Sequence, residues 1–178
     1  MNDIKSEVNI DYEDLLNINN FLCFSIYAAG LSFNKVYRPL LDKLGLTYLQ
    51  FLVMVSLWMR DCQTVGEIGS KLGLESSTLT PLLKRLEIMG HLSRERNPKD
   101  ERQVLICLTD HGKQLKEQAQ SIPMCIAQAT GLTLEQFIEL KNTLTILKNG
   151  LDESEPYRVC RRVNILRDYP DDKIKIYP

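Results

Sequence analysis

TVGEIGSKLGLESSTLTPLLKRLEIMGHLSRERNPKDERQVLICLT, residues 64–109, changes periodicity in an order that decides the fold. Val65 to Leu72 has the spacing of a short helix, and Gly73 stops it, because glycine tolerates the left-handed turn at a helix end. A turn of three to four residues leads to a second helix, from about Ser76 or Ser77 to Met89, stopped at Gly90. On that helix Leu79, Leu82, Leu83 and Leu86 share one face, leaving Ser76, Ser77, Thr78, Thr80, Pro81, Lys84 and Arg85 on the exposed sides. After Gly90 the period falls to two: Leu92–Arg96 and Val104–Leu108 flank the charged turn Asn97-Pro98-Lys99-Asp100-Glu101-Arg102. Helix, tight turn, helix and basic hairpin predict a winged helix-turn-helix, mainly α with a small β-wing.

The chemistry of the exposed positions points to double-stranded DNA. Small hydroxyls lead the second helix, where they can approach base edges in a major groove, and Lys84 and Arg85 follow, placed for phosphates. Pro81 removes one backbone donor early in the helix. Lys99 and Arg102 sit at the wing tip, and Arg102 suits the negative potential of a minor groove. A charged hairpin alone is usually a solvated turn; its place after two helices gives it meaning. Gly66, Gly69 and Gly73 fit neither a dinucleotide fingerprint nor a phosphate loop and read as helix stops.

Outward from this module the chain is helical. Leu15, Ile18, Leu22, Ile26, Ala29 and Phe33 form one stripe of a first helix, Val36 to Leu44 a shorter piece ended by Gly45, and Thr47 caps the strongly apolar YLQFLVMVSLWM, which Asp61 to Gln63 closes. Beyond the wing, Asp110 opens a helix broken or kinked at Pro123, and Thr133 to about Gly150 forms another, with Leu134, Phe137, Ile138, Leu140, Leu144 and Leu147 apolar. Apolar faces at both ends predict a two-fold homodimer, whose recognition helices would meet successive major grooves of a palindromic operator, roughly 34 Å apart. The expected organisation is an acidic arm (1–14), a winged-helix domain (15–150) with the DNA module at 47–109 and dimerisation helices at 15–46 and 110–150, and an extension (151–178). The extension reads equally as an added strand, a disordered tail or a second redox element around Cys160.

Composition sets the remaining bounds. The 178 residues carry a net charge of −1, so contact with DNA must come from a local patch. That patch is 84–102, where Lys84, Arg85, Arg94, Arg96, Lys99 and Arg102 stand against four acids. No apolar run approaches a membrane span and the acidic N-terminus does not resemble a signal peptide, so a cytoplasmic protein without a membrane partner is expected. Five cysteines, odd in number and scattered, with only two histidines, suggest neither a disulfide framework nor a metal site. Cys62 and Cys107 read as packing or inert surface, and His91 and His111 as structural or exposed. Nothing calls for a cofactor or an enzymatic activity.

The run DERQVLICLT (100–109), behind a recognition helix and wing, resembles the MarR family of winged-helix regulators. FLCFSIYAAGLSFNKVYRPLLDKLGLTYLQFLVMVSLW (21–58) and TLTPLLKRLEIMGHLSRERNPKDERQVLICLT (78–109) resemble more closely its organic hydroperoxide resistance repressors, over about residues 15–150. The resemblance implies a homodimeric repressor that leaves its operator when an N-terminal cysteine, Cys23, is oxidised by an organic hydroperoxide. It also implies that Tyr27, with Tyr37 and Tyr48 of the partner subunit, hydrogen-bonds the thiolate, the form that attacks peroxide oxygen. Cys125 falls where two-cysteine members carry a resolving thiol that captures the sulfenic acid of the other subunit, with Cys160 a competitor. Phe21, Phe24, Ile26 and Phe33 would favour apolar hydroperoxides if they line the cavity. Taken singly, Cys23 and each tyrosine would be ordinary packing residues. Two other functions fit parts of the pattern: a repressor released by a small phenolic ligand with Cys23 structural, and a DNA-binding thiol peroxidase. The tail at 151–178, and Glu75 where relatives usually have aspartate, depart from the family pattern.

Overall fold

Side chains at the helix ends set the boundaries of the elements. The computed structural model describes residues 17–98 and 100–154, with nothing described of the Glu101 side chain. A 3-10 turn, Ile18–Asn20, precedes α1 (Leu22–Asp42); α2 (Tyr48–Met59), strand β1 (Gln63–Thr64), α3 (Val65–Leu72), α4 (Ser76–Ile88), β2 (Leu92–Asn97), β3 (Asp100–Leu108), α5 (Asp110–Ala119), α6 (Ile122–Ala129) and α7 (Leu134–Asp152) follow. Thr47, Thr64 and Thr133 each cap a helix with their hydroxyl while Gln50, Glu67 and Gln136 reach back to the cap N–H, three capping boxes that satisfy otherwise orphaned donors. Gly73 and Gly90 close α3 and α4 at φ of +64° and +77°.

The chain divides into two units after Ala129. In the first, α2 is central: Phe51, Val53, Met54 and Leu57 are buried with Leu41 and Leu46 before it, Ile68 of α3, and Leu79, Leu83 and Leu86 of α4. Leu92, Ile106 and Leu108 of the sheet and Leu115, Ala119, Ile122 and Ile126 of α5 and α6 complete this core. The buried polar side chains of Gln50, Ser56 and Gln63 are hydrogen-bonded. Gln63 Nε2 donates to the carbonyls of Ser56 (2.9 Å) and Arg60 (2.5 Å), and the Ser56 hydroxyl donates to Gln63 Oε1, pinning the end of α2 to β1.

The winged helix-turn-helix matches the architecture read from sequence, with four differences. α1 is one helix where two pieces were expected: nothing at Asn34 or Lys35 breaks it, and it runs through Pro39. The wing gains a third strand, since β1 pairs antiparallel with β3 (Gln63↔Ile106, Thr64↔Leu105), giving the order β1-β3-β2. The break in the C-terminal helices falls at Gln120–Ser121, before Pro123, which sits harmlessly in the first turn of α6 where no backbone donor is needed. Finally, Cys62 and Cys107 are neither inert nor separate: they form a disulfide, Cα atoms 4.1 Å apart, because the β1–β3 register brings them face to face.

The long helices keep apolar surface in the open. Of α1 only Leu41 is buried, while Phe24, Ile26, Leu31, Phe33 and Val36 remain exposed. In the second unit, α7 buries no residue, and Ile138, Leu140, Leu144 and Ile146 are exposed along it.

Gly112 touches backbone where a methyl group cannot fit: a Cβ there would lie 2.1 Å from the His91 carbonyl oxygen. Gly112→Ala is expected to cost at least about 1–3 kcal/mol, the range of an overpacked core, read as a lower denaturation midpoint in urea.

Candidate nucleic-acid interface and redox site

α3 and α4 are held in register by different means. Glu67 accepts from the Thr64 N–H (2.7 Å) and hydroxyl (2.9 Å) and pairs with Arg60, so the first helix is firmly capped. These hydrogen bonds, the backbone one foremost, lower the Glu67 carboxyl to about 2. α4 is anchored by its buried leucines, Leu79, Leu83 and Leu86, with Leu82 half-buried; Glu75 occupies the cap position without a side-chain hydrogen bond. The opposite side presents Ser76, Ser77, Thr78, Thr80, Pro81, Lys84 and Arg85, all exposed. The Thr80 hydroxyl donates to the Ser76 carbonyl at 2.7 Å, which fixes its rotamer while leaving its lone pairs outward. Arg94 pairs with Glu87 at 2.8 Å and ties the base of the wing to α4. Arg102 is exposed on β3, its N–H bonded to Asp100 Oδ1. Lys99 lies outside the described residues.

Cys23, the second residue of α1, is an exposed free thiol. Tyr27 stands one turn further on the same face, 61% exposed, its ring 6.5 Å from that of Phe24. Tyr37 and Tyr48 form a separate pair, rings 4.8 Å apart, with Phe51 beside Tyr37. Burial, and then the neighbouring Tyr48, raise the Tyr37 phenol above its ordinary value. Cys23 and Tyr37 are fourteen positions apart on one helix, about 21 Å at 1.5 Å per residue. One chain therefore brings Cys23 to Tyr27 and Tyr37 to Tyr48, but not one pair to the other. Cys125, on α6 against α1, is also an exposed free thiol. Cys160, the 1–14 arm and positions 155–178 of the extension lie outside the described residues.

Two features were invisible to pattern reading. Asp61, Cys62 and Cys107 place their donor atoms within 4.8 Å of one another, although the disulfide occupies both sulfurs. His91 is buried with its Nδ1 unpartnered and its ring 4.5 Å from that of His111; desolvation, then His111, lowers its value. No signal of spacing marks either group, since each joins residues from different elements. Among the described residues no helix is long and apolar enough to cross a membrane.

A three-stranded wing behind a helix pair whose second helix exposes hydroxyls and cations defines a winged-helix DNA-binding regulator. Comparison with known proteins narrows the class. A family model described as transcriptional regulator SarA/Rot matches residues 35–119. The organic hydroperoxide resistance transcriptional regulator of Bacillus subtilis is 43% identical over 140 residues, 79% of this chain and 95% of that protein. The HTH-type transcriptional regulator TtmR of Methylorubrum extorquens is 45% identical over 139 residues, 78% of this chain and 71% of the relative. Among solved structures, reduced AbfR bound to DNA, a protein of Staphylococcus epidermidis, is similar with a TM-score of 0.67 at 38% identity, covering 79% of this chain and 96% of AbfR. The chain belongs to the MarR family of winged-helix transcriptional regulators.

Acid should loosen the helix-turn-helix in two stages of the same sign. The lowered His91 contributes stability that is present above the ordinary imidazole value of 6.5 and lost as pH falls below it. Glu67 contributes stability present above the ordinary 4.5 and lost as pH falls toward about 2. Thermal melts across this range should show the lower stage weakened in Glu67→Gln; an unchanged profile would remove the cap from the account.

Proposed function

We propose that this chain is a redox-sensing transcriptional repressor: a cytoplasmic homodimer that binds a palindromic operator and releases it when Cys23 is oxidised by an organic hydroperoxide. The observation that carries this reading is the division of the thiolate pocket. Cys23 with Tyr27, and Tyr37 with Tyr48, stand at opposite ends of an α1 that buries one residue. A second copy crossing α1 in antiparallel sense covers its apolar face and brings the partner's tyrosine pair to Cys23, so sensor and dimer form together. Phenolic donors there stabilise the thiolate, and Phe21, Phe24, Ile26 and Phe33 supply an apolar wall suited to an organic rather than an inorganic peroxide.

Thiolate attack on the peroxide breaks the O–O bond and leaves a sulfenic acid and an alcohol. The thiol of Cys125 from the other subunit then displaces water to give a disulfide. Cys125 lies on α6, which packs against α1, so drawing it toward Cys23 moves the helices that set the spacing of the two α4 helices. Ser76, Ser77, Thr78, Thr80 and Pro81 face the major groove, Lys84, Arg85 and Lys99 the phosphates, and Arg102 the minor groove. One oxidation per subunit suffices for release, so no enzymatic turnover is needed.

Cys23→Ser should bind operator as the wild type does and stay bound in the presence of cumene hydroperoxide, measured by fluorescence anisotropy; undiminished release would reject Cys23 as sensor. Lys84→Ala should weaken binding to all sequences alike and reduce the slope of log K against log salt by about 0.9 per lost phosphate contact on each subunit.

A further inference from the structure

The base of the wing holds a second group of reactive atoms. Cys62 follows α2, Cys107 lies in β3, and the register that pairs Gln63 with Ile106 sets the two cysteines opposite one another. Cys62 has a φ of +51°, a left-handed conformation in which, among the described residues, every other member is glycine. Such a backbone needs support. Asp61 supplies it: its Oδ1 accepts from the Cys62 N–H at 2.7 Å and from the Leu108 N–H at 2.8 Å. One carboxylate oxygen thus fixes the chain on both sides of the pair through bonds that involve neither sulfur. The two segments that carry the sulfurs are thus tied to one another by a bond other than the disulfide. Cys62 is exposed and Cys107 is buried, so one sulfur meets solvent and its partner is shielded behind it.

We propose that Cys62 and Cys107 are a second thiol–disulfide site, closed within one subunit by an organic hydroperoxide, reopened by a small thiol, and acting as a clamp on the root of the wing. The choice of oxidant rests on the function proposed above; the site itself does not involve Cys23. The exposed Cys62 thiolate attacks the distal oxygen of the hydroperoxide, the O–O bond breaks, and the alkoxide leaves as alcohol with one proton. Cys107 then attacks the Cys62 sulfenic sulfur, and its S–O bond breaks with loss of water. Two thiols lose two electrons and the hydroperoxide gains them. Where DNA is bound, small thiols keep cysteines reduced, so the dithiol is the resting form and the disulfide the oxidised one. β1 is only two residues long, and the bond adds a covalent tie between the segment leading into α3 and the strand that carries Arg102. Closing it couples the wing to the helix-turn-helix.

The test uses the full chain with Cys23, Cys125 and Cys160 replaced by serine, which leaves both members of the pair in place. The folded protein is reduced, freed of reductant, treated with cumene hydroperoxide, then denatured, alkylated and weighed. The proposal expects loss of both alkylatable thiols, no disulfide-linked dimer on a non-reducing gel, recovery of both thiols when dithiothreitol is added to the folded oxidised protein, and slower amide exchange at 62–64 and 104–107 in the oxidised form. Two thiols that persist through hydroperoxide, a disulfide that resists dithiothreitol in the folded protein, or unchanged exchange would each overturn it. Operator release by Cys62→Ser in an otherwise native chain reads the Cys23 pathway alone, so failure of one site is distinguished from failure of the other.

Discussion

The junction at His91 is the contact on which the DNA-binding unit depends. The His91 N–H donates to the Leu86 carbonyl at 3.0 Å, closing α4, while its own carbonyl accepts from the Thr109 N–H at 3.1 Å, closing the sheet. The Thr109 hydroxyl donates to the Gly90 carbonyl at 2.6 Å and accepts from the Gly112 N–H at 3.0 Å, capping α5. Trp58 Nε1 then donates to the Gly112 carbonyl at 2.9 Å, which brings α2 to the same point. Recognition helix, wing, α5 and central helix therefore meet within a few residues of backbone. A side chain at Gly112 cannot enter, and burial of the His91 ring disfavours its protonated form.

That rigidity separates what moves from what reads. α4 is seated on the core by three leucines and tied to the wing through Glu87 and Arg94, so its exposed residues change position only with the whole unit. α1 has the opposite character, long and apolar with a single buried residue. A helix of that kind is defined by what covers it, and Cys23, an exposed thiol in its first turn, lies where the chain packs least against itself. The helix that carries Cys23 and the helix that exposes hydroxyls and cations are thus built on different physical terms within one chain.

Much of the first unit was legible because its instructions are local. Gly73 and Gly90 end helices at positive φ whatever surrounds them, Thr47 caps with a hydroxyl three residues from the donor it satisfies, and the leucines of α4 repeat at helical spacing. The three-stranded sheet was only half legible. β2 and β3 alternate over enough residues to show a period, whereas the two residues of β1 carry none and become a strand only because β3 lies alongside.

Helix, turn, helix and hairpin, and the identity of the residues they expose, are properties of the sequence itself: the helices arise from interactions spanning four or five positions, and the hairpin from two alternating runs joined by one short turn. The meeting of Cys62 with Cys107, 45 positions apart, the burial of His91 against His111, and the placement of Tyr37 with Tyr48 away from Cys23 were decided by tertiary structure. Chain entropy makes such distant pairings invisible in any local pattern. They are selected by packing of elements that each look complete without them.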